Sequence, residues 1–440
     1  MRPQIHLATA AQTRLYTMPR RAHQDGSFNV VSRLKVTGPL DTDRLEHAVG
    51  AVVARHSALR TTFAWQGDQV VQVVHATAAP SVFRELSPTD PTLAAGPGPA
   101  ADQLARHLID GPLDLDHGPL FRCTVLRSGE DTFDVFLVLD HIIVDERSKA
   151  IIIDDLCASY ADPDVDLGPA PQLHEFTDHG DEDPEGPDYW TSRLTPLPPR
   201  PFPDVRPEDQ RTAFKARVCE VRLGELPSKR LDAMAAAHRA TPFSALLTAL
   251  LRSIWRVSGV PDLNVAVVTD LRSQEEEFDT VGFFQNSTVV RETVNPEHSF
   301  AQTMDRVKRS VAGAIAHRHV PVGHLVASLA GGYGDKRNPL YQIGFAYSNA
   351  DTERRWVLPG LTVQNVELEP VDAQIEVFLE INRVAEGYVG KLIHAVGSVQ
   401  PERADQIVRI FEELLERAAD DPGRDDGVAS AQNAGPAHRH

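Results

Sequence analysis

Three ionisable residues at the end of an apolar stretch are the side chains best suited to chemistry. Asp140, His141 and Asp145 follow the apolar run 133–139. Charged groups removed from water are costly unless they are paired or hydrogen-bonded, so a sequence keeps them where a partner satisfies them or where a reaction needs them. A histidine exchanges protons near neutral pH, and a neighbouring carboxylate can orient it and favour its cationic form. The pattern indicates either a buried histidine with a structural role, whose ring nitrogens are hydrogen-bonded, or a histidine that acts as an acid or base.

The elements that position these residues are predicted from the spacing of apolar side chains. Both alternating faces of residues 133–139 are apolar apart from Asp134, which predicts a central buried strand. Residues 148–160 predict a helix with apolar side chains on one side. The three ionisable residues therefore close a strand just before a helix, which is where open α/β sheets place their clefts.

The rest of the chain predicts a second region of the same mixed kind. Residues 241–259 predict an apolar helix with a threonine N-cap and proline at its first position, and residues 265–268 predict an apolar strand. Between the halves, residues 162–211 are rich in proline and acidic side chains, which is typical of a surface linker. Residues 421–440 are charged and rich in glycine, alanine and proline, and predict a disordered tail.

Composition excludes several classes of function. The 440 residues are 42% hydrophobic and 24% charged, as in ordinary globular proteins, and 44 Lys and Arg against 62 Asp and Glu give a net charge of −18. This balance argues against a nucleic-acid partner. The three cysteines are far apart and without metal-ligand spacing, so they predict reduced thiols and no zinc site. Without an apolar leader or a membrane-length apolar run, the sequence predicts a soluble cytoplasmic protein with no membrane partner.

Five ordered segments resemble the condensation domains of nonribosomal peptide synthetases, which belong to the chloramphenicol acetyltransferase-like superfamily. The segment DHIIVDE resembles the motif HHxxxDG, and the others resemble the motifs RHxxLRTxF, PFDLxxGPLLR, (I/V)GFFVNT and RNPLFQ of that family. The matching segments are 140–146, 50–63, 111–126, 281–287 and 337–342. Their order and their spread over most of the chain make this resemblance specific.

The resemblance implies an α/β fold of two chloramphenicol acetyltransferase-like lobes in a V-shaped pseudo-dimer. The lobes are expected at 1–175 and 176–420, with the disordered tail at 421–440. The implied reaction is attack of a small-molecule amine or hydroxyl acceptor on an acyl or aminoacyl thioester held by a carrier protein, which gives an amide or ester. The chain is expected to act as a free-standing enzyme. No metal or directly bound cofactor is implied, because the partner carrier protein brings the phosphopantetheine arm through a tunnel.

The resemblance also assigns roles to individual residues. His141 falls on the second motif histidine, which acts as general base or positions the attacking amine. Asp145 falls on the motif aspartate, which braces the loop through a salt bridge, and Arg272 is its expected partner. Gln285, Asn286 and Ser287 fall on the loop that crosses between the lobes near the tunnel. Ser148 is expected to face the tunnel or its substrate as well.

Two residues depart from the family motif. Asp140 replaces the first histidine, and it could orient His141 and favour the imidazolium, which cannot accept a proton. Glu146 replaces the glycine and adds a charged side chain close to the expected tunnel. It could obstruct a pantetheine arm, or it could hold a cationic acceptor. Both residues are therefore expected to face the substrate.

Two alternative functions remain open on the same residues. Asp140, Asp145 and Ser148 satisfy the pattern DxxxxDxxS of heterocyclisation domains, although the later segment GFFQNS resembles a condensation domain more closely. The altered motif also resembles that of catalytically silent recruitment domains of glycopeptide assembly lines, which have an acid in place of the glycine. Those domains have lost the second histidine, which this chain keeps. The alternative that this resemblance leaves open is a non-catalytic platform that recruits carrier proteins or tailoring enzymes, and heterocyclisation is the second alternative.

Overall fold

The computed structural model of the protein describes residues 2–17, 28–77, 79–87, 89–90, 99–176, 183–203, 213–332, 338–348, 356–421 and 423. Within these residues the fold is mixed α/β and contains three β-sheets. Of the predicted disordered tail, only Asp421 and Gly423 belong to the described residues, so that prediction lies outside them. Across the described ranges, the helices are too short or too polar to cross a membrane.

Strands and helices are interspersed along the chain. The strands are β1 Gln4–Leu7, β2 Asn29–Thr37, β3 Thr61–Gln66, β4 Gln69–Val74, β5 Phe83–Leu86, β6 Phe121–Arg127, β7 Thr132–Asp140, β8 Ala216–Gly224, β9 Asp262–Asp270, β10 Gln285–Thr293, β11 Ile343–Ser348, β12 Thr362–Val366, β13 Val377–Val384 and β14 Gly387–Ala395. The α-helices are α1 Ala10–Thr17, α2 Thr42–Arg55, α3 Ala100–Asp110, α4 Glu146–Ala161, α5 Gly186–Leu194, α6 Glu225–Ala237, α7 Pro242–Ser258, α8 Phe300–Ala316, α9 Val322–Ala330 and α10 Pro401–Asp420.

Local sequence signals account for several of these elements. β7 and α4 occupy the predicted strand and helix. α7 begins after Thr241, whose hydroxyl accepts a hydrogen bond from the Ser244 N–H at 3.2 Å, and it ends at Gly259, where φ is +75°. These are the expected N-cap and left-handed C-cap.

The predicted linker contains more structure than its composition indicates. α5 lies inside the proline-rich segment 162–211, with proline in its first turn, where the missing N–H costs no helical hydrogen bond. The side chains of Trp190 and Leu194 are fully buried. Burial of these two apolar residues supplies the stabilisation that the local composition lacks.

Contacts within the chain divide it into two compact units. Unit 1 comprises Met1–Glu182, Asp270–Asn286 and Thr352–Val371, and unit 2 comprises the remainder. The lobes predicted from sequence, 1–175 and 176–420, were each continuous. The two later segments join unit 1 because β12 pairs with β2 and because the segment that contains Arg272 binds the start of α4.

Unit 1 contains a five-stranded sheet in the order β12-β2-β7-β6-β5 and a three-stranded sheet in the order β1-β4-β3. β7 is the central strand of the larger sheet and is antiparallel to both β2 and β6. Its inward side chains, such as Leu137 and Leu139, are buried with residues of α2 and α4 in one apolar core. This core fixes the strand that ends at Asp140.

Unit 2 contains a six-stranded sheet in the order β10-β9-β11-β13-β14-β8. β11 is parallel to β9 and β13, whereas β14 is antiparallel to β13 and β8. α7 packs against α8 and α10. All of its residues from Ser244 to Ile254 are buried, and the apolar ones belong to the second large core.

Candidate active site

His141 is presented by the end of the central strand of unit 1. β7 ends at Asp140, residues His141–Ile143 form a 3-10 turn, and α4 begins three residues later. The neighbours of β7 are antiparallel, so the cleft rule for open parallel sheets does not explain the position of the site. The histidine is instead placed by the turn that joins a buried strand to a buried helix.

Hydrogen bonds fix the orientation and tautomer of the His141 ring. Nδ1 lies 2.7 Å from the carbonyl oxygen of Val144, so Nδ1 donates a proton to it. The backbone N–H of His141 donates to the carbonyl of Phe28 at 2.9 Å. The Phe283 ring meets the imidazole edge-to-face with centroids 5.1 Å apart. In the neutral ring, Nε2 therefore carries the lone pair.

The surroundings of His141 favour this neutral form. Burial lowers the pKa of His141 below its usual value, because the apolar surroundings disfavour the charged ring. The Val144 carbonyl and the Asp145 carboxylate oppose this effect, and the Arg14 guanidinium adds to it. A histidine whose pKa is lowered is neutral at physiological pH, so Nε2 is able to accept a proton.

The hydrogen bonds of Asp145 hold the segment that follows His141. Its two carboxylate oxygens accept hydrogen bonds from Arg272, Nη1 at 2.7 Å and Nη2 at 3.1 Å. They also accept from the Phe284 N–H at 3.1 Å and from the N–H and hydroxyl of Ser148 at 2.8 and 2.7 Å. The predicted ion pair between Asp145 and Arg272 is confirmed, and both side chains are only 1% exposed.

Arg272 ties this pair to residues 270–286. Its Nε donates to the carbonyl of Glu277 at 2.8 Å, and Nη2 is 3.2 Å from the carbonyl of Thr280. Its guanidinium carbon lies 4.2 Å from the centroid of the Phe284 ring. These contacts satisfy the donors of a buried guanidinium, as a buried charge requires. They join the start of α4 to the segment that carries Phe283.

Ser148 completes the same network. It is fully buried, and its Oγ is within hydrogen-bond distance of the carbonyl of Gly282 at 2.8 Å and of the Gly282 N–H at 3.0 Å. A side chain at position 282 would place its Cβ 3.0 Å from the Leu173 side chain, so glycine allows this close approach. Ser148 therefore serves as a structural link between α4 and residues 270–286.

Asp140 makes a different contact from the one expected. Its side chain is buried, and Oδ1 accepts the Ile142 N–H at 2.9 Å, which caps the 3-10 turn. The expectation that Asp140 orients His141 is wrong, because the Val144 carbonyl already binds Nδ1. Burial raises the pKa of Asp140 to about 7, and the hydrogen bond from Ile142 opposes this shift only in part.

Glu146 occupies an exposed position at the first residue of α4. Its carboxylate forms an ion pair with Lys149 at 2.7 Å, one turn along the helix. A negative charge at this end interacts favourably with the helix dipole. The glycine expected from the family motif is therefore replaced without strain, since a helical residue needs no left-handed backbone conformation.

The remaining predicted residues begin β10. Gln285 and Ser287 are half-buried and Asn286 is buried. They follow Phe283, which contacts the His141 ring, and Phe284, whose N–H binds Asp145. The site that the structure assembles in unit 1 thus consists of His141, Asp145, Ser148 and Arg272, whereas Asp140 and Glu146 have separate partners.

Gln12 is a contact residue of the site that sequence reasoning missed. Its side-chain Nε2 donates to the carbonyl of Ile142 at 3.2 Å, across 130 residues of chain. The only sequence signal is the spacing Thr9-x-x-Gln12, which is typical of a helix capping box and points to a helix start rather than to a remote contact.

Within the described residues there is no group of three or more His, Cys, Asp or Glu side chains arranged to hold a metal ion.

Comparison with known proteins identifies the family. A sequence model of the condensation domain matches residues 3–428. The chain belongs to the condensation-domain family. It is 28% identical over 430 residues to the nonribosomal peptide synthetase kk1B of Curvularia clavata, a match that covers 94% of this chain but 3% of that protein. Condensation domains of such synthetases, including antibiotic synthetases, are thus its relatives.

Solved structures show the same fold. The X-domain in complex with OxyB from teicoplanin biosynthesis matches with a TM-score of 0.81 at 23% identity, covering 96% of this chain and 95% of that one. The condensation domain of the monacolin K polyketide synthase MokA matches with a TM-score of 0.78 at 20% identity, covering 96% and 98%. These likenesses establish the chloramphenicol acetyltransferase-like fold of the condensation domain, as the sequence predicted.

The Asp145–Arg272 pair predicts a large loss of stability when one partner is removed. We expect Arg272→Ala to lower the free energy of unfolding by about 3–5 kcal/mol, because it leaves a carboxylate buried without its counter-ion. Denaturant unfolding followed by circular dichroism measures the change. The matched control is Arg222→Ala, whose ion pair with Glu220 is 72% exposed at both side chains and should contribute about 0–1 kcal/mol. A change below 1 kcal/mol for Arg272→Ala would contradict the assigned role.

The raised pKa of Asp140 predicts a pH-dependent effect of Asp140→Asn. The pKa of the Asp140 carboxyl is near its ordinary value of 3.8 in the unfolded chain and about 7 in the folded one. The protonated carboxyl therefore contributes its full stabilisation of the wild type below pH 3.8, and this contribution is lost as the pH rises through 7. Asparagine keeps the acceptor for Ile142 and cannot ionise. We expect the free energy of unfolding of Asp140→Asn, relative to that of wild type, to rise by up to about 3 kcal/mol between about pH 4.5 and pH 7.5. Denaturant unfolding at each pH measures this difference. A pH-independent difference would show that burial does not shift this group.

Proposed function

We propose that this condensation domain joins an acyl or aminoacyl group, held as a thioester on a carrier protein, to an amine or hydroxyl acceptor. The observation that carries the proposal is the state of His141. Its Nδ1 proton is committed to the Val144 carbonyl, and burial keeps the ring neutral. The remaining nitrogen, Nε2, is therefore a base at the pH where the enzyme works.

In the proposed step, the acceptor nitrogen or oxygen attacks the thioester carbonyl carbon while Nε2 of His141 takes a proton from the acceptor. The bond between the carbonyl carbon and the thioester sulfur then breaks. The proton on Nε2 passes to the leaving sulfur, which regenerates the neutral ring. The products are an amide or ester and a free carrier thiol, so no oxidant, reductant or metal is required.

The proposed roles of the neighbouring residues follow from their contacts. Asp145 and Arg272 act as a brace, because all their described contacts lie within the buried network around Ser148 and residues 270–286. Glu146 is exposed at the start of α4 and is proposed to influence which acceptor binds, with a cationic amine favoured by its charge. We propose, on the family resemblance, that Gln285, Asn286 and Ser287 lie along the substrate passage.

The carrier protein is the proposed partner. Condensation domains work with carrier proteins, whose phosphopantetheine arm holds the thioester. This chain spans a small fraction of the length of synthetases such as kk1B. We propose that the phosphopantetheine is brought by the carrier and that the chain itself binds no cofactor directly.

A recruitment platform is the second candidate. Glu146 places a charged side chain where the family motif has glycine, which favours a reduced or altered passage for a pantetheine arm. Such a protein would bind carriers or tailoring enzymes without turnover. Heterocyclisation is less well supported, because the hydroxyl of Ser148 and the carboxylate of Asp140 are buried in structural hydrogen bonds.

Removal of His141 tests the proposal. Carrier proteins charged with acyl or aminoacyl pantetheine thioesters are mixed with free amino acids, primary amines or alcohols, and products are detected by mass spectrometry. We expect His141→Ala to slow product formation about 10²–10⁴-fold, which is the usual contribution of a general base. The control His47→Ala alters an exposed histidine on α2 and should stay within about twofold of wild type.

The other outcomes separate the alternatives. Turnover by His141→Ala at the wild-type rate would contradict the assigned mechanism. Tight carrier binding by wild type without any product would favour the platform. A product lighter by one water than the simple condensation product would identify heterocyclisation.

A further inference from the structure

The two polar groups of the Ile142 backbone are held by two buried side chains. The N–H of Ile142 donates to Oδ1 of Asp140 at 2.9 Å, and its carbonyl accepts from Nε2 of Gln12 at 3.2 Å. Asp140 is 3% exposed and Gln12 is 1% exposed. Ile142 directly follows His141 in the 3-10 turn, so the two peptide groups on either side of the Ile142 Cα are each held by one buried side chain.

The side chain of Gln12 is itself held in place at the start of α1. Its Oε1 accepts the Thr9 N–H at 3.1 Å, and the Thr9 hydroxyl accepts the Gln12 N–H at 3.1 Å. These reciprocal bonds form a capping box. They leave the amide nitrogen as the donor that reaches the Ile142 carbonyl.

Docking of α1 does not depend on this amide. Ala11 and Leu15 on the same helix are buried in the apolar core of unit 1. An eight-residue helix is too short to be stable alone, so these apolar contacts determine where it lies. Loss of the Gln12 amide should therefore leave α1 in place and free the Ile142 carbonyl.

A single 3-10 turn has few restraints of its own. The ring of His141 depends on the same turn, because Nδ1 binds the carbonyl of Val144, two residues after Ile142. A shift in the Ile142 peptide would move this carbonyl relative to the ring and weaken the bond that selects the tautomer. The α1 helix also carries Arg14, whose charge acts on the imidazole.

From these contacts we infer that Gln12 is a positioning residue for the proposed reaction, which acts through the Ile142 carbonyl to keep His141 in the Nδ1–H tautomer with Nε2 as the base. The inference rests on the proposed function of His141. The inference assigns α1 a role in the site, although α1 lies outside the motif at residues 140–146. Misplacement of a reacting group by about 1 Å can cost about a hundredfold in rate.

The test compares two Gln12 variants with a matched control in the full-length chain. Gln12→Leu removes the whole amide, and Gln12→Glu keeps the acceptor for the Thr9 N–H but loses the donor to Ile142. Thr9→Ala weakens the cap of α1 and leaves the amide contact intact. Nitrogen chemical shifts of selectively labelled histidine report the tautomer of His141, with the resonance assigned by its loss in His141→Ala.

We expect wild type and Thr9→Ala to show a protonated Nδ1 and an unprotonated Nε2 at neutral pH. In both Gln12 variants the two nitrogen shifts should move towards each other, because both tautomers become populated. In the assay with charged carriers, kcat should fall about tenfold or more while KM stays within about twofold. If Gln12→Leu does not fold, Gln12→Glu gives the same comparison.

Two results overturn the inference and are distinct from failure of the proposed function. A wild-type tautomer in both Gln12 variants would show that the amide does not position the ring. An equal loss in Thr9→Ala would show that the effect comes from α1 as a whole. If the tautomer changes as expected but His141→Ala condenses at the wild-type rate, the positioning contact stands and the proposed function falls.

Discussion

The buried ion pair between Asp145 and Arg272 is the interaction on which the rest of the site depends. Both side chains are almost fully excluded from water, and the cost of removing two charges from water is offset only when the remaining polar atoms of the pair are hydrogen-bonded. The structure satisfies them with Ser148, the Phe284 N–H and carbonyls of residues 270–286. This network fixes the start of α4 and the segment that carries Phe283. The turn that presents His141 is therefore held on its C-terminal side by the Asp145–Arg272 ion pair and on its N-terminal side by β7.

Patterns of a few residues predicted the local elements well. The strand β7 has two apolar faces, and α7 has both a threonine cap and a terminal glycine, so short-range physics is sufficient for each. The partner of Asp145 came from the family resemblance, since nothing near Asp145 in the chain identifies a residue 127 positions away. Sequence patterns could not show that β7 has antiparallel neighbours, because the same apolar pattern fits a buried strand with parallel or with antiparallel neighbours.

The contacts of Asp140 and Gln12 could not be predicted from the sequence for a different reason. A buried carboxylate accepts from whichever donor the backbone brings closest, and here that donor is the Ile142 N–H rather than the adjacent imidazole. Gln12 meets Ile142 only after α1 has docked through its apolar side. The Asp140 contact is local, because it joins residues two apart, whereas the Gln12 contact depends on tertiary geometry. The two replaced motif positions, 140 and 146, thus acquire local partners and leave the hydrogen bond between His141 and Val144 intact.

We propose that a neutral imidazole at position 141 removes the acceptor proton. The most direct measurement is the pH dependence of the condensation rate in a single turnover, with the carrier already charged and acceptor in excess. If neutral His141 is the base, the rate falls on the acid side with a midpoint below about 6.5, the ordinary value for histidine, because burial lowers the pKa of this ring. A rate that is constant through that range, or that rises as the solution becomes more acidic, would contradict it.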